Sequence, residues 1–189
     1  GKPELLVAGA ESPHTFALKP SGAQALSAAS VLFRVSAAVE PFTVRVASAL
    51  PASVRVATLA DAPGVQHLPH RRGATFATQS HDGHDHLDAH DGEPSNDVTR
   101  DGHVWLDPDN ARAMVQEIAR VLSEVAPEHA TLFASNATRV NRAIDSLDAE
   151  IKTELKPIQD QPYVVFHDAY QYFERHYGLA PVAAITLGP

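Results

Sequence analysis

The 189-residue chain has no cysteine. That absence removes disulfides, thiol catalysis and every cysteine-built zinc site at once, while leaving cytosol and periplasm equally open. Any metal site must therefore be made of His, Asp, Glu and water. Basic residues are also scarce: 15 Lys and Arg stand against 23 Asp and Glu, a formal net charge of −8. Such a balance disfavours nucleic acid as a partner. No apolar run reaches the roughly 18 residues of a membrane span. No Lys/Arg-led apolar leader opens the chain, so any secretion leader is expected to have been removed already. The 44% apolar and 20% charged residues are those of an ordinary globular chain. The length suits one large domain, or one and a half lobes of a two-lobed protein.

Histidine, in contrast, is plentiful. Four of the 11 histidines, His81, His84, His86 and His90, crowd into HDGHDHLDAHDGE among Asp82, Asp85, Asp88, Asp91 and Glu93. Three others stand apart beside apolar runs: His14 in AESPHTFALKPS, His103 in DGHVWLDP and His167 in YVVFHDAYQYF. Neutral imidazole is the commonest protein ligand for zinc and similar borderline metals, so this distribution points to metal handling. The tract reads as a loose collector with weak, exchangeable contacts, because ordering such a loop costs conformational entropy.

The apolar pattern alternates strands with helices. Strands are predicted over 4–8, 31–35 and 53–59, the last with Val54, Val56 and Leu59 turned inward. Helices are predicted after Pro20 and after Pro41. Periodicity dissolves over 64–100, which reads as a long exposed loop. A short strand in HVWLDP then meets a helix start, with Asp107 as N-cap and Pro108 in the first turn. That helix shows one apolar face through Ala111, Met114, Val115, Ile118, Leu122 and Val125. A second helix between Pro127 and Pro157, with Phe133, Ala137, Val140, Ile144, Leu147, Ile151 and Leu155 in steps of three and four, would span roughly 40 Å. It serves either as a strut between lobes or as a long helix of one bundle. Strand 163–167, a helix closing on Gly178 and a strand in PVAAITLGP finish the chain. The alternation indicates an α/β protein with parallel sheets. The boundaries follow as a lobe over 1–126, a linking helix over 127–157 and the start of a second lobe over 158–189. Opening and ending on strands suggests a piece missing at each end.

Ligands of open α/β sheets bind beyond the carboxyl ends of the strands, where His14 and His167 are expected. Three imidazoles with a carboxylate or water complete a tetrahedral zinc shell. Spacing alone leaves this open, since a lone His beside a strand is more often a hydrogen-bonded structural residue.

The residues also carry a resemblance. AESPHTFALKPS, VLFRVSAAVEPF, DGHVWLDPDNARAMVQEIARVL and VVFHDAYQYFERHYGL are similar to the ligand segments and Glu-Pro turn of the ZnuA-like zinc-uptake solute-binding proteins of bacterial ABC transporters. The acidic His-rich insertion ahead of the second ligand segment matches as well, and the likeness extends over most of the chain. It implies a two-lobed periplasmic receptor joined by one rigid helix, with a metal ion in the cleft. It makes His14, His103 and His167 the ligands, Zn²⁺ the cargo, a membrane ABC permease the partner, and the receptor a monomer. His at the third position favours zinc over manganese. Pro13 occupies the place where some zinc members carry an acidic residue, and Glu11 lies three residues before His14. The family's further carboxylate ligand falls past Pro189, so water or that missing residue takes the fourth position. The first family strand and helix fall before Gly1, so a fragment with an incomplete C-terminal lobe is expected.

The remaining side chains read more plainly. Trp105 is a core residue that positions His103, and Tyr170, Tyr172 and Phe173 form a packing cluster. His67 and His70 join the loop or do nothing, His129 faces solvent, and His176 favours its helix C-terminus. Asp168 either orients a ligand histidine or faces outward, and Lys19 is a surface lysine. Two rival functions stand beside transport. A zinc hydrolase would use the same three histidines with an open water position, but the chain has no HExxH or HxHxDH cluster to supply a base. A metal-buffering protein would act through the tract alone.

Overall fold

The computed structural model describes residues 3–9, 11–71, 73, 75–76 and 100–186. His81, His84, His86 and His90 lie outside these residues. Two parallel strand pairs bracket a helical middle. Strand β1 (Val31–Arg34) and β2 (Arg55–Thr58) pair in register from Val31↔Arg55 to Arg34↔Thr58. They are connected through helix α2 (Phe42–Ala49), and α1 (Pro20–Ser27) precedes them. Helix α3 (Pro108–Val125) and helix α4 (Ala130–Leu155) follow, separated by one tight turn at Pro127–His129. Strand β3 (Tyr163–His167), helix α5 (Gln171–Tyr177) and strand β4 (Pro181–Thr186) form a second strand–helix–strand unit, again parallel. A parallel pair needs such a crossover. The expected α/β class with parallel sheets is what forms.

Local chemistry explains the helix ends. Asp107 accepts the backbone N–H of Asp109 at 2.8 Å, and Pro108 sits where its missing N–H costs nothing. Gly178 closes α5 in the left-handed region at φ 65°, which glycine adopts without steric cost. The 26 residues of α4 rise roughly 39 Å. Its inward face differs from the predicted one at one place. Leu147 is 53% exposed, and Asp148 takes the inward position. There Asp148 is met by Lys152 Nζ at 2.9 Å and His176 Nε2 at 2.8 Å, which makes burial of its charge tolerable.

The core gathers Leu59, Ala60, Leu68, Val104, Met114 and Tyr172 from the end of β2, the segment after it, α3 and α5. Several expectations are corrected around it. Residues 4–8 form no strand; no described strand pairs with them, and Leu5 is 75% exposed. Inward positions near β2 fall to Val54, Ala57 and Leu59, with Val56 only half-buried. HVWLDP is not a strand but a 3₁₀ turn over Val104–Leu106. Side chains have taken the backbone groups a strand would need: Asp101 Oδ1 accepts His103 N at 3.0 Å, and Asn110 Nδ2 donates to Val104 O at 3.0 Å. Residues 65–71 are loop as expected, with Gln66, Pro69 and His70 exposed, but the loop is anchored at one point. Leu68 is buried and its N–H donates to Tyr172 Oη at 2.8 Å. The two flanks of the long segment meet in an antiparallel bridge, Pro69↔Arg100, reinforced by Asp101 N donating to Leu68 O at 2.9 Å. No helix among the described residues is long and apolar enough to cross a membrane.

Candidate metal centre

Three separate segments each deliver one imidazole. His14 lies in the loop before α1, fastened by Phe16, whose ring meets Phe42 of α2 edge-on at 4.9 Å. A hydrogen bond to the Ala38 backbone steadies the His14 ring. His103 opens the 3₁₀ turn ahead of α3, and His167 ends β3. The absence of a strand over 4–8 means that only His167 follows a strand.

The three rings converge. Centroids lie 5.4 Å apart for His14–His103, 5.9 Å for His14–His167 and 5.4 Å for His103–His167, with interplanar angles of 60°, 75° and 76°. Rings splayed edge to edge aim nitrogens inward instead of stacking. One nitrogen from each ring lies within 4.8 Å of the other two. Donors bonded to one tetrahedral zinc at about 2.0–2.1 Å stand roughly 3.4 Å apart, so a modest inward turn of the rings suits one small cation.

Electrostatics suit a cation as well. The His14 pKa is held below 6.5, first by burial and then by the neighbouring imidazoles, against the raising effect of the Ala38 hydrogen bond. Burial disfavours the charged ring, so His14 presents a neutral lone pair. Asp101, 3% exposed, lies against His103 with Oδ1 2.7 Å from Nδ1. Asp168 pairs with Arg71 at 3.3 Å, and Arg71 also pairs with Glu174 and lies over the Phe76 ring. Burial raises the Asp168 pKa, offset by Arg71.

The turn 35–40 supports two of the ligand segments. Glu40 Oε2 accepts Val35 N at 2.7 Å and Ser36 N at 3.2 Å, which closes the turn that touches His14 through Ala38. The same turn packs so closely on Gly102 that a Cβ there would lie 2.6 Å from Val39 Cγ2.

The supporting roles of Asp101, Glu40 and Arg71 escaped the sequence reading, although Glu40 stands in the Glu-Pro turn of the resemblance. The first had a legible signal, since a carboxylate two residues before a histidine can reach back to its ring. Trp105 is not core: it is 37% exposed, with its ring 5.4 Å from that of His103. Nor do Tyr170, Tyr172 and Phe173 pack as one cluster: Tyr172 enters the core, Tyr170 is exposed, and the Phe173 ring meets that of Tyr177 at 4.5 Å. Tyr170 and Phe173 line a cavity of about 540 Å³ that touches none of the three histidines.

A second gathering of donors, Asp107, Asp109 and His176, is already engaged. Asp107 caps α3, Asp109 pairs with Arg112, and His176 bonds to Asp148. The positive end of α3 opposes a cation there. This cluster joins α3, α4 and α5.

Comparison with known proteins identifies the family and the fold. A family profile described as zinc-uptake complex component A, periplasmic, matches residues 1–189. The high-affinity zinc uptake system protein ZnuA of Brucella abortus (strain 2308) is 38% identical, over 100% of this chain and 62% of its own length. That of Paracoccus denitrificans (strain Pd 1222) is 35% identical over 100% and 61%. The chain thus spans about three-fifths of these relatives. In fold it is similar to a crystal structure of a ZnuA deletion mutant with zinc bound, with a TM-score of 0.74 and 24% identity over 96% of this chain and 60% of the other. Streptococcus pneumoniae AdcAII gives a TM-score of 0.68 and 21% identity over 94% and 58%. From its first residue to its last, the chain belongs to the ZnuA family of zinc-uptake components.

Proposed function

We propose that this protein is a periplasmic receptor that captures Zn²⁺ through His14, His103 and His167 and passes it to a membrane ABC permease. The observation that carries the reading is the meeting of three imidazoles, brought from distant segments, with donor nitrogens within 4.8 Å of one another. Three neutral nitrogens form a borderline-soft donor set suited to zinc. The cargo and the uptake role follow from the relatives, high-affinity zinc uptake system proteins. The lobes run over 1–126 and 158–189, joined by the helix over 127–157, with the triad where they meet.

Capture proceeds by exchange of zinc-bound water for imidazole, and the protein is a monomeric carrier, not an enzyme. Acidification opposes capture, because each ligand must shed its proton to bind the ion. The tract holding His81, His84, His86 and His90 adds weaker contacts that collect zinc.

The test is zinc affinity measured against a competing chelator. His14→Ala, His103→Ala and His167→Ala each abolish tight binding, whereas deletion of 81–93 preserves it. Tight binding that survives the three single replacements would overturn the triad, and its loss on deleting the tract would favour a buffering protein.

A further inference from the structure

We propose that Asp101 is a positioning residue: it fixes His103 as the Nδ1–H tautomer and thereby presents Nε2 to the cation. The inference rests on the zinc reading of the triad. A carboxylate at neutral pH only accepts hydrogen bonds, so at 2.7 Å the proton must sit on His103 Nδ1. The other ring nitrogen then carries the free lone pair, and the carboxylate makes it a stronger donor to a metal ion.

The carboxylate is itself held from every side. Oδ1 also accepts His103 N at 3.0 Å, which fixes the backbone and ring of His103 against the same atom. With the Gln171 amide turned so that its nitrogen faces the two neighbouring acceptors, that nitrogen donates to Asp101 Oδ2 at 3.2 Å and to Pro69 O at 3.0 Å. The backbone of Asp101 is bonded at both polar atoms: its N–H donates to Leu68 O at 2.9 Å, and its carbonyl accepts Tyr172 Oη–H at 2.9 Å. Gln171 and Tyr172 open α5, four and five residues after His167. One buried carboxylate therefore orients the second ligand and ties it to the helix that follows the third.

Asp168 does not fill this place, although it adjoins His167. Its charge is directed to Arg71. Asp101 faces the imidazole, with its side chain 4% exposed.

The test joins zinc competition against a chelator with long-range ¹H–¹⁵N spectra of the metal-free 189-residue chain, which report the tautomer of each imidazole. Asp101→Ala should weaken zinc binding about 10- to 100-fold and shift His103 away from a pure Nδ1–H form. Asp101→Asn keeps the volume and a neutral acceptor, so its loss should be intermediate; if the alanine variant does not fold, the asparagine variant decides. Tyr172→Phe is the structural control, expected to lower the melting temperature while leaving the His103 tautomer unchanged. If His103→Ala abolishes tight binding while both Asp101 variants bind like the wild type, the positioning role is overturned and the triad stands. If His103→Ala binds zinc as tightly as the wild type, the triad reading itself fails.

Discussion

Gly102 offers a sharp test of how the centre is assembled. A Cβ at this residue would stand 2.6 Å from Val39 Cγ2, 3.3 Å from Ser36 Oγ and 3.4 Å from Ala38 Cβ. Carbon atoms rest at about 3.5–4.0 Å, so the overlap with Val39 is about 1 Å. Neither neighbour has room to yield: Val39 is 3% exposed and Ser36 1%, and Ser36 Oγ accepts Val39 N at 3.3 Å. Overpacking of this kind costs about 1–3 kcal/mol. At about 2–4 °C per kcal/mol for a chain of this size, Gly102→Ala should lower the melting temperature by about 2–12 °C. The clash also separates the His14 and His103 segments, so zinc affinity should fall with stability. Thermal melts and chelator competition measure both. Adding Val39→Ala removes the opposing methyl groups, so the double variant should be more stable than the two single effects predict, by about 0.5–3 kcal/mol of coupling. Strict additivity, or a Gly102→Ala variant that melts like the wild type, would refute the steric argument.

Other consequences are equally measurable. The unfolded chain binds a proton at His14 more readily than the folded one, because the folded pKa is lowered from 6.5. Stability of the metal-free protein should therefore rise with pH from the lowered pKa up to about 6.5. In His14→Gln that part of the slope should vanish from melts taken across the range. Tyr172→Phe deletes the hydroxyl that donates to Asp101 O and accepts from Leu68 N, leaving two buried backbone groups unpaired. The cost should be about 1–3 kcal/mol in denaturant unfolding. Trp105 is the only tryptophan, and its ring lies 5.4 Å from that of His103. Its emission should change on zinc addition and saturate at one equivalent, and the change should disappear in His103→Ala.

The sequence was most legible where one chemical preference acts alone. Asp107 with Pro108, Gly178 after α5, and the three-and-four spacing of α4 each specify their local structure, and each appears in place. The reading failed where tertiary partners override local pattern. HVW alternates like a strand, but Asp101 and Asn110 occupy its backbone groups and bend it into a turn. Leu147 fits the apolar spacing of α4, yet Asp148 lies inward because His176, on another helix, offers it a partner. The three histidines stood out by their isolation. Their support did not, because Glu40, Asp101 and Gly102 act through neighbours that only the folded chain brings close.

The bridge between Pro69 and Arg100 carries an implication for protein engineering. Beyond Pro69 the chain is held again at Thr75, bridged to Ala183, and at Phe76, whose N–H donates to Val182 O at 2.8 Å. A segment held at both ends can change its length at little thermodynamic cost, about 0.6 kcal/mol for each doubling. The paired stem should thus accept a transplanted sequence, or a whole fluorescent domain, while the scaffold keeps its shape. Because the stem abuts Asp101, such a graft would report from beside the ion-holding histidines.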